Sequence, residues 1–190
     1  MRFALFSIPA ALAFGYLTGG RLAGFASVRV RWPLLALAAI LCQLAPVSGT
    51  AGVILLVISF VLLMAFASAN ARAPGFPLIL LGLALNFTVI AVNHGMPVTR
   101  HALVASGQAE TLPDLREHGG AKHHLATPTD ELLWLGDVIP IGPPVHQAVS
   151  VGDIGAHLGA AWFVIAAMRR HKLSVIEEAG RGGDPAGVEA

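Results

Sequence analysis

Charge is scarce in this chain. Its 190 residues include 12 Lys and Arg and 11 Asp and Glu, 12% in all. A soluble domain carries about 25%. So few charges cannot cover a surface that faces water, and the missing polar surface must face lipid. The net charge of +1 argues against nucleic acid as a partner. Cysteine is scarcer still. Cys42 stands alone, which excludes an intramolecular disulfide and a Cys-rich metal site. It sits in an apolar run, where it serves as a small packing residue. There is no Walker loop, Rossmann fingerprint, Gly-x-Ser-x-Gly elbow or His-Glu-x-x-His. No cofactor and no metal are expected.

Apolar sequence is abundant: 55% of residues are hydrophobic and the mean hydropathy is +0.71. Five runs predict spans over residues 3–18, 30–46, 52–69, 76–93 and 145–168. The expectation is an all-α integral membrane bundle of five transmembrane helices. It forms a single membrane domain over 1–172, followed by a flexible cytoplasmic tail over 173–190. The first run has a second reading as a signal peptide, since Arg2 precedes it, although no small-x-small cleavage site closes it. The second run is the shortest. Residues 34–45 alone fall short of a bilayer, so this segment spans only if Val30, Arg31 and Trp32 enter the interface and Arg31 snorkels. Pro33 is placed for the first position of its helix.

Basic residues orient the bundle. With the N-terminus out and the C-terminus in, Arg21, Arg29, Arg31, Arg72, Arg169, Arg170 and Lys172 all fall on the cytoplasmic side. Arg2 is the local exception. The outer loop then covers 94–144 and is broken by Gly119-Gly120. Inside it, residues 132–141 form an apolar stretch of about ten residues, too short to cross. This stretch predicts a short interfacial or re-entrant helix before the last span.

Polar side chains inside spans are costly and tend to face the bundle interior. His146, Ser150, Asp153 and His157 follow one another at helical spacing and would share one stripe of the fifth span. A helix starting near His146 would put Asp153 about 10 Å along its axis, inside the hydrocarbon. Gly155 and Gly159 form a small-xxx-small pair. Asn86 and Asn93 share a face of the fourth span, Gln43 lies near the outer end of the second, and Asp137 stands within the short apolar stretch. Together these predict a ligand- or proton-binding pocket in the outer half of the bundle, lined by Gln43, Asn86, Asn93, Asp137, Asp153 and His157. A plainer role stands beside this one. Asn and Gln in spans also tie helices together, at about 0.6 kcal/mol per contact, and Asp153 could simply pair with His157. The outer loop adds His94, His101, His118, His123 and His124. The spacing of His118, His123 and His124 is not a recognised zinc pattern. His123 and His124 are kept as outer-loop acid–base candidates.

Three stretches carry a resemblance in combination: Asn93-His94-Gly95-Met96-Pro97-Val98, Leu135-Gly136-Asp137-Val138-Ile139-Pro140 and Ser150-Val151-Gly152-Asp153. They resemble a family of small bacterial polytopic membrane proteins known as domain of unknown function 5317. The likeness runs from the first Gly-Gly turn to the fifth span and takes in Gln43, Asn86 and the His123-His124 pair. In that pattern a glycine usually follows the first Asn, whereas here His94 stands there. The resemblance implies a bacterial inner-membrane protein and supplies no reaction.

Three functions compete on these residues. In a small transporter or channel component, Asp153 and His157 would carry a proton or bind a cationic group. Five spans are few for a lone transporter, so a homo-oligomer or larger membrane complex is expected. In a membrane enzyme acting on a lipid-linked substrate at the outer surface, Asp137 and His123 or His124 would serve as acid and base. In a non-catalytic subunit or assembly factor, the Gly155/Gly159 face would bind a partner helix. The lipid bilayer is a partner in all three. The best-ordered constellation is buried in the bundle, which ranks ligand or proton binding first.

Overall fold

The computed structural model describes residues 2–47, 49–117 and 122–181, with side chains as far as Arg170. His118, Gly119 and Gly120, and residues 182–190 of the expected tail, lie outside the described residues. The fold is mostly helical. In chain order the elements are α1 (Arg2–Leu17), α2 (Pro33–Leu44), α3 (Gly49–Ala69), α4 (Phe76–Asn93), β1 (Met96–Val98), α5 (Arg100–Ala105), α6 (Leu112–Glu117), β2 (His123–Leu125), β3 (Ile139–Ile141), β4 (Gln147–Val149) and α7 (Val151–Arg181). Three helices are long and apolar enough to cross a membrane: α3, α4 and α7 over Val151–Arg170. The apolar helices α1 and α2 are shorter. Large apolar side chains such as Leu5, Phe14, Leu34, Leu41, Ile54 and Leu81 point outward, as a lipid-facing surface requires.

The second run is shorter as a helix than expected. Residues 30–32 are not helical, because Pro33 lacks an N–H and pushes the residue before it out of helical geometry. Trp32 takes φ 55. The freed backbone is held by Asn70, at the end of α3. Arg31 N–H donates to Asn70 Oδ1 (2.8 Å), and Asn70 Nδ2 donates to Arg31 O (2.9 Å).

The five apolar helices pack in an open row: α2 on α3, α3 on α4, α4 on α7 and α7 on α1. Among the described residues, α1 makes no substantial contact with α2 or α3. The row therefore curls without closing. Its tightest seam is α4 on α7, where Gly75 and Gly82 face Gly159 and Gly152. A Cβ at Gly159 would lie 2.6 Å from Gly75 O, and one at Gly152 would lie 2.6 Å from Gly82 O. The Gly155/Gly159 face, expected to receive a partner helix, is thus taken up inside the chain by α4. At the far end of the row, Met168 fills the space over Gly15 and Gly20, and Arg21 N–H donates to Met168 O (2.9 Å).

Among the described residues, 94–117 and 122–150 form a cap over the other end. β1 and β2 pair in parallel, with Met96 opposite His123, and β3 and β4 form an antiparallel hairpin, with Ile139 opposite Val149. Val98, Ala102, Leu103 and Ala148 make the small core of the cap. The helix expected over 132–141 is not there. A single 3-10 turn at Leu133–Leu135 is followed by extended chain into β3. Val138, Ile139 and Ile141 are β-branched, Pro140 cannot donate a helical hydrogen bond, and the local bonding is sheet-like. Asp137 bridges to Val98, donating its N–H to Pro97 O (2.9 Å). The last long helix starts at Val151, later than the expected Val145, because β4 occupies Gln147–Val149.

Candidate functional site

Two chambers meet under the cap. The inner chamber, about 340 Å³, lies in the cleft between α1 and α3 with α4 and α7 behind it. Phe3, Leu56, Phe60, Ile90 and Met96 form its apolar walls. The cap chamber, about 380 Å³, lies between α5, α6 and β4. His123, Asp137 and Gln147 line both.

Of the residues singled out by spacing, Gln43, Asn86, Asp137, Asp153 and His157 line the inner chamber, together with His123. Asn93 and His124 do not. Asn93 straps the cap to α4: Glu131 N–H donates to its Oδ1 (2.8 Å), and its Nδ2 donates to Glu131 O (2.9 Å). His124 pairs with Asp130 (2.9 Å). Burial works against the Asp130 anion, but hydrogen bonds from Thr127 and His124 outweigh it and hold its pKa below the ordinary value.

Asp153 sits differently from the expectation. It lies in the first turn of α7, not two turns into it. Ser150 N–H donates to Asp153 Oδ2 (3.2 Å), and Asp153 N–H donates to Ser150 Oγ (2.9 Å). This is a reciprocal capping box, with Asp in the place of the usual Glu or Gln. Asn86 joins it from α4, its Nδ2 donating to Asp153 Oδ1 (2.7 Å) while its Oδ1 accepts from Ser150 Oγ (2.8 Å). The side chain enters over Gly152, where a Cβ would collide with it. His157 does not pair with the Asp153 carboxylate. Its Nδ1 donates to the Asp153 backbone oxygen (2.8 Å), which fixes the ring and leaves Nε2 unused. Phe3 packs on that ring, with centroids 4.5 Å apart. His146 is off the stripe altogether, in a turn with φ 49.

The sharpest feature is Asp137. The residue is 6% exposed, and its Oδ1 is buried with no hydrogen-bond partner. Burial first, and then the nearby negative charge of Asp153, push its pKa up to about 8. The group is therefore a neutral acid at pH 7, able to donate a proton. His123 Nε2 stands 3.6 Å from Asp137 Oδ2, just beyond direct hydrogen-bond reach. About half of the His123 side chain is accessible, but that half faces the chambers. The surrounding walls still strip the ring of water, and this lowers its pKa. A carboxylic acid kept neutral beside an imidazole kept neutral is a pairing suited to proton exchange.

Spacing did not reveal Lys122, Gln147 or Phe3. Lys122 Nζ donates to Gln43 O, and Gln147 Oε1 accepts from Phe3 N–H (2.8 Å). They come from a cap strand edge and a helix start, where side-chain periodicity gives no signal. Among the described residues, no three His, Cys, Asp or Glu side chains are grouped to hold a metal ion.

No curated protein and no solved structure matches the chain. The family of unknown function DUF5317 matches residues 27–165. That span contains the seam between α4 and α7, the whole cap, and all of the inner chamber except its α1 wall. The capping box, the Asp137 bridge and the Asn93 strap all fall within it, on the stretches Ser150-Val151-Gly152-Asp153, Leu135-Gly136-Asp137 and Asn93-His94-Gly95. The chain belongs to this family of unknown function.

Proposed function

We propose that this is a five-helix bacterial inner-membrane protein that binds a small amphipathic ligand in its inner chamber, with the polar end under the cap. The observation that carries the reading is the buried, partnerless Asp137 oxygen beside a chamber of mostly apolar wall. Buried polar atoms are rarely left unmet unless a ligand or a reaction uses them. A few convergent polar groups on an apolar pocket are what small-molecule sites look like.

The topology is supported by charge. Arg21, Arg29, Arg31, Arg72, Arg169 and Arg170 belong to the end of the row away from the cap. With that end in the cytoplasm, the cap faces out. α2 has 12 residues, about 18 Å of helix, so residues 28–32, held by Asn70, extend it through the inner leaflet. Binding is favoured over passage because the glycine seam packs α4 tightly on α7 and Met168 fills the space between α7 and α1 below the chamber.

Native mass spectrometry of the protein in nanodiscs, wild type beside Ala4→Trp, tests the reading. Ala4 lines the chamber, and tryptophan there fills it. The expected result is a bound small molecule in wild type that the variant loses. Two ligand-free spectra would end the proposal. The same spectra count the copies, which the transporter reading expects to exceed one.

The His123–Asp137 geometry favours a second reading, an enzyme acting on the head of such a ligand with these two residues as base and acid. His124 has no part in it, being held by Asp130. Conversion of the captured molecule that stops in His123→Ala and continues in His124→Ala would select the enzyme over the binder.

A further inference from the structure

We infer that the ligand is a single-chain lipid anion, a carboxylate or phosphate amphiphile, that enters sideways from the bilayer between α1 and α3 and lodges its head at Lys122, His123 and Asp137. This rests on the ligand-binding reading above and adds the chemical class and the route.

The route follows from the open row. Phe3 and Ala4 of α1 face Leu56 and Phe60 of α3 across the chamber, yet the two helices do not pack on each other. A chain coming from the lipid side meets apolar side chains on both flanks. It meets Ile90 and Met96 at the back and top. At about 340 Å³ the chamber has room for one slender chain and not for a two-chain lipid. The glycine seam behind it brings α4 and α7 too close to offer further depth.

The sign of the head follows from which charges in the chamber are already met. The Asp153 carboxylate accepts from Asn86 Nδ2 and from the Ser150 N–H, at the positive end of α7. Asp137, kept neutral at pH 7 by its burial, is a proton donor with no acceptor. Among the described residues lining the chamber, the Lys122 ammonium is the remaining charge, and its one described partner is the uncharged oxygen Gln43 O. An ammonium beside an acid that can donate suits an incoming anionic oxygen. A cationic head would find one carboxylate already saturated and a lysine opposing it.

The test uses the full chain in phosphatidylcholine nanodiscs with a photoactivatable palmitate, crosslinks being mapped by mass spectrometry. Crosslinks are expected on Phe3, Ala4, Leu56 and Phe60. Excess palmitate or hexadecyl phosphate should suppress them, and the stronger competitor tells carboxylate from phosphate. Hexadecylamine should not. Lys122→Gln should weaken palmitate binding about tenfold while the melting temperature stays unchanged. Equal suppression by hexadecylamine would overturn the anionic head and leave the chamber reading standing. Crosslinks on α2 and α3 outer faces alone, with none in the chamber, would remove both.

Discussion

Asn86 Nδ2 lies 2.7 Å from Asp153 Oδ1, and through this contact α4 is tied to the cap of α7. The bond does two jobs. It satisfies a carboxylate that already closes the first turn of its own helix, and it fixes the helices that form the back wall of the chamber. Asp153→Ala removes one of the two bonds of the capping box, worth about 0.5–1.5 kcal/mol. It also leaves the Asn86 amide unpaired, worth roughly 1–3 kcal/mol. Asn86→Ala should cost a similar amount from the other side. The double variant should be less unstable than the sum, with a coupling of about 0.5–3 kcal/mol. Thermal unfolding in detergent, followed by circular dichroism, measures all three. Additive effects would show that the contact carries no energy.

Asp137 sets a pH dependence. Its pKa rises from 3.8 to about 8 on folding, so between those values the folded protein holds a proton that the unfolded chain has released. Stability from this residue is therefore complete below about pH 4, falls as pH rises, and is lost by about pH 8. His123 acts in the opposite sense. Its folded pKa lies below 6.5, so it destabilises as pH falls through that region. A comparison from pH 7 to pH 9 isolates Asp137. Wild type should lose stability over that range, and Asp137→Asn, which keeps the shape of the neutral acid, should not. At pH 9 the variant should be the more stable by roughly 1–3 kcal/mol, the usual cost of a buried group left unmet. Parallel profiles would mean that Asp137 does not change charge between pH 7 and pH 9.

His94 occupies a glycine's conformation. It takes φ 55 and ψ 31 at the end of α4, and Gly95 N–H donates back to Ile90 O (3.1 Å). The turn therefore keeps the left-handed shape that glycine adopts freely, and the histidine is accommodated at a cost of about 1–2 kcal/mol. His94→Gly should raise stability by up to about 1 kcal/mol, offset in part by the greater freedom of glycine in the unfolded chain. A scan of melting temperature decides it, and a lower value for the variant would show that the imidazole has a partner in the folded state.

The sequence made the helical part legible because hydrophobic length is a strong signal, and the long runs at α3 and α4 needed nothing else. The cap departs from the expected short helix for a physical reason. Residues 132–141 are apolar, and length alone does not separate a short helix from strand and turn. Three β-branched residues around Pro140 favour strand, against the helix that the apolar count suggests. Asp153 lies nearer its helix end than its spacing from His146 predicts, because α7 starts at Val151. Ser150 and Asp153, three apart, are a capping box, and that signal fixes the start at Val151. The gathering of Gln43, Asn86, Asp137 and Asp153 around one chamber was readable, since polar side chains in apolar runs seek one another. Lys122 and Gln147 were not, because they reach the chamber from the bend before β2 and from β4, in a cap whose folding depends on contacts distant in sequence.

The last prediction separates two glycines that look equivalent by spacing. Gly155 belongs to the small-xxx-small pair of α7, yet a Cβ there would meet its nearest atom, Gly82 Cα, at 3.6 Å, an ordinary contact. Gly152 lies one turn earlier. A Cβ there would run into the Asn86 side chain and come within 2.6 Å of Gly82 O. Gly155→Ala should be neutral or stabilising by up to about 1 kcal/mol, since alanine is the better helix former. Gly152→Ala must instead push α4 off α7 or expel Asn86 from the capping box. Overpacking of that kind costs about 1–3 kcal/mol, and the loss of the Asn86 bonds adds to it. Melting temperatures of the two variants, measured side by side, give the answer. Equal effects would mean that the seam does not close at Gly152, and with it would go the argument that the chamber has a sealed back wall.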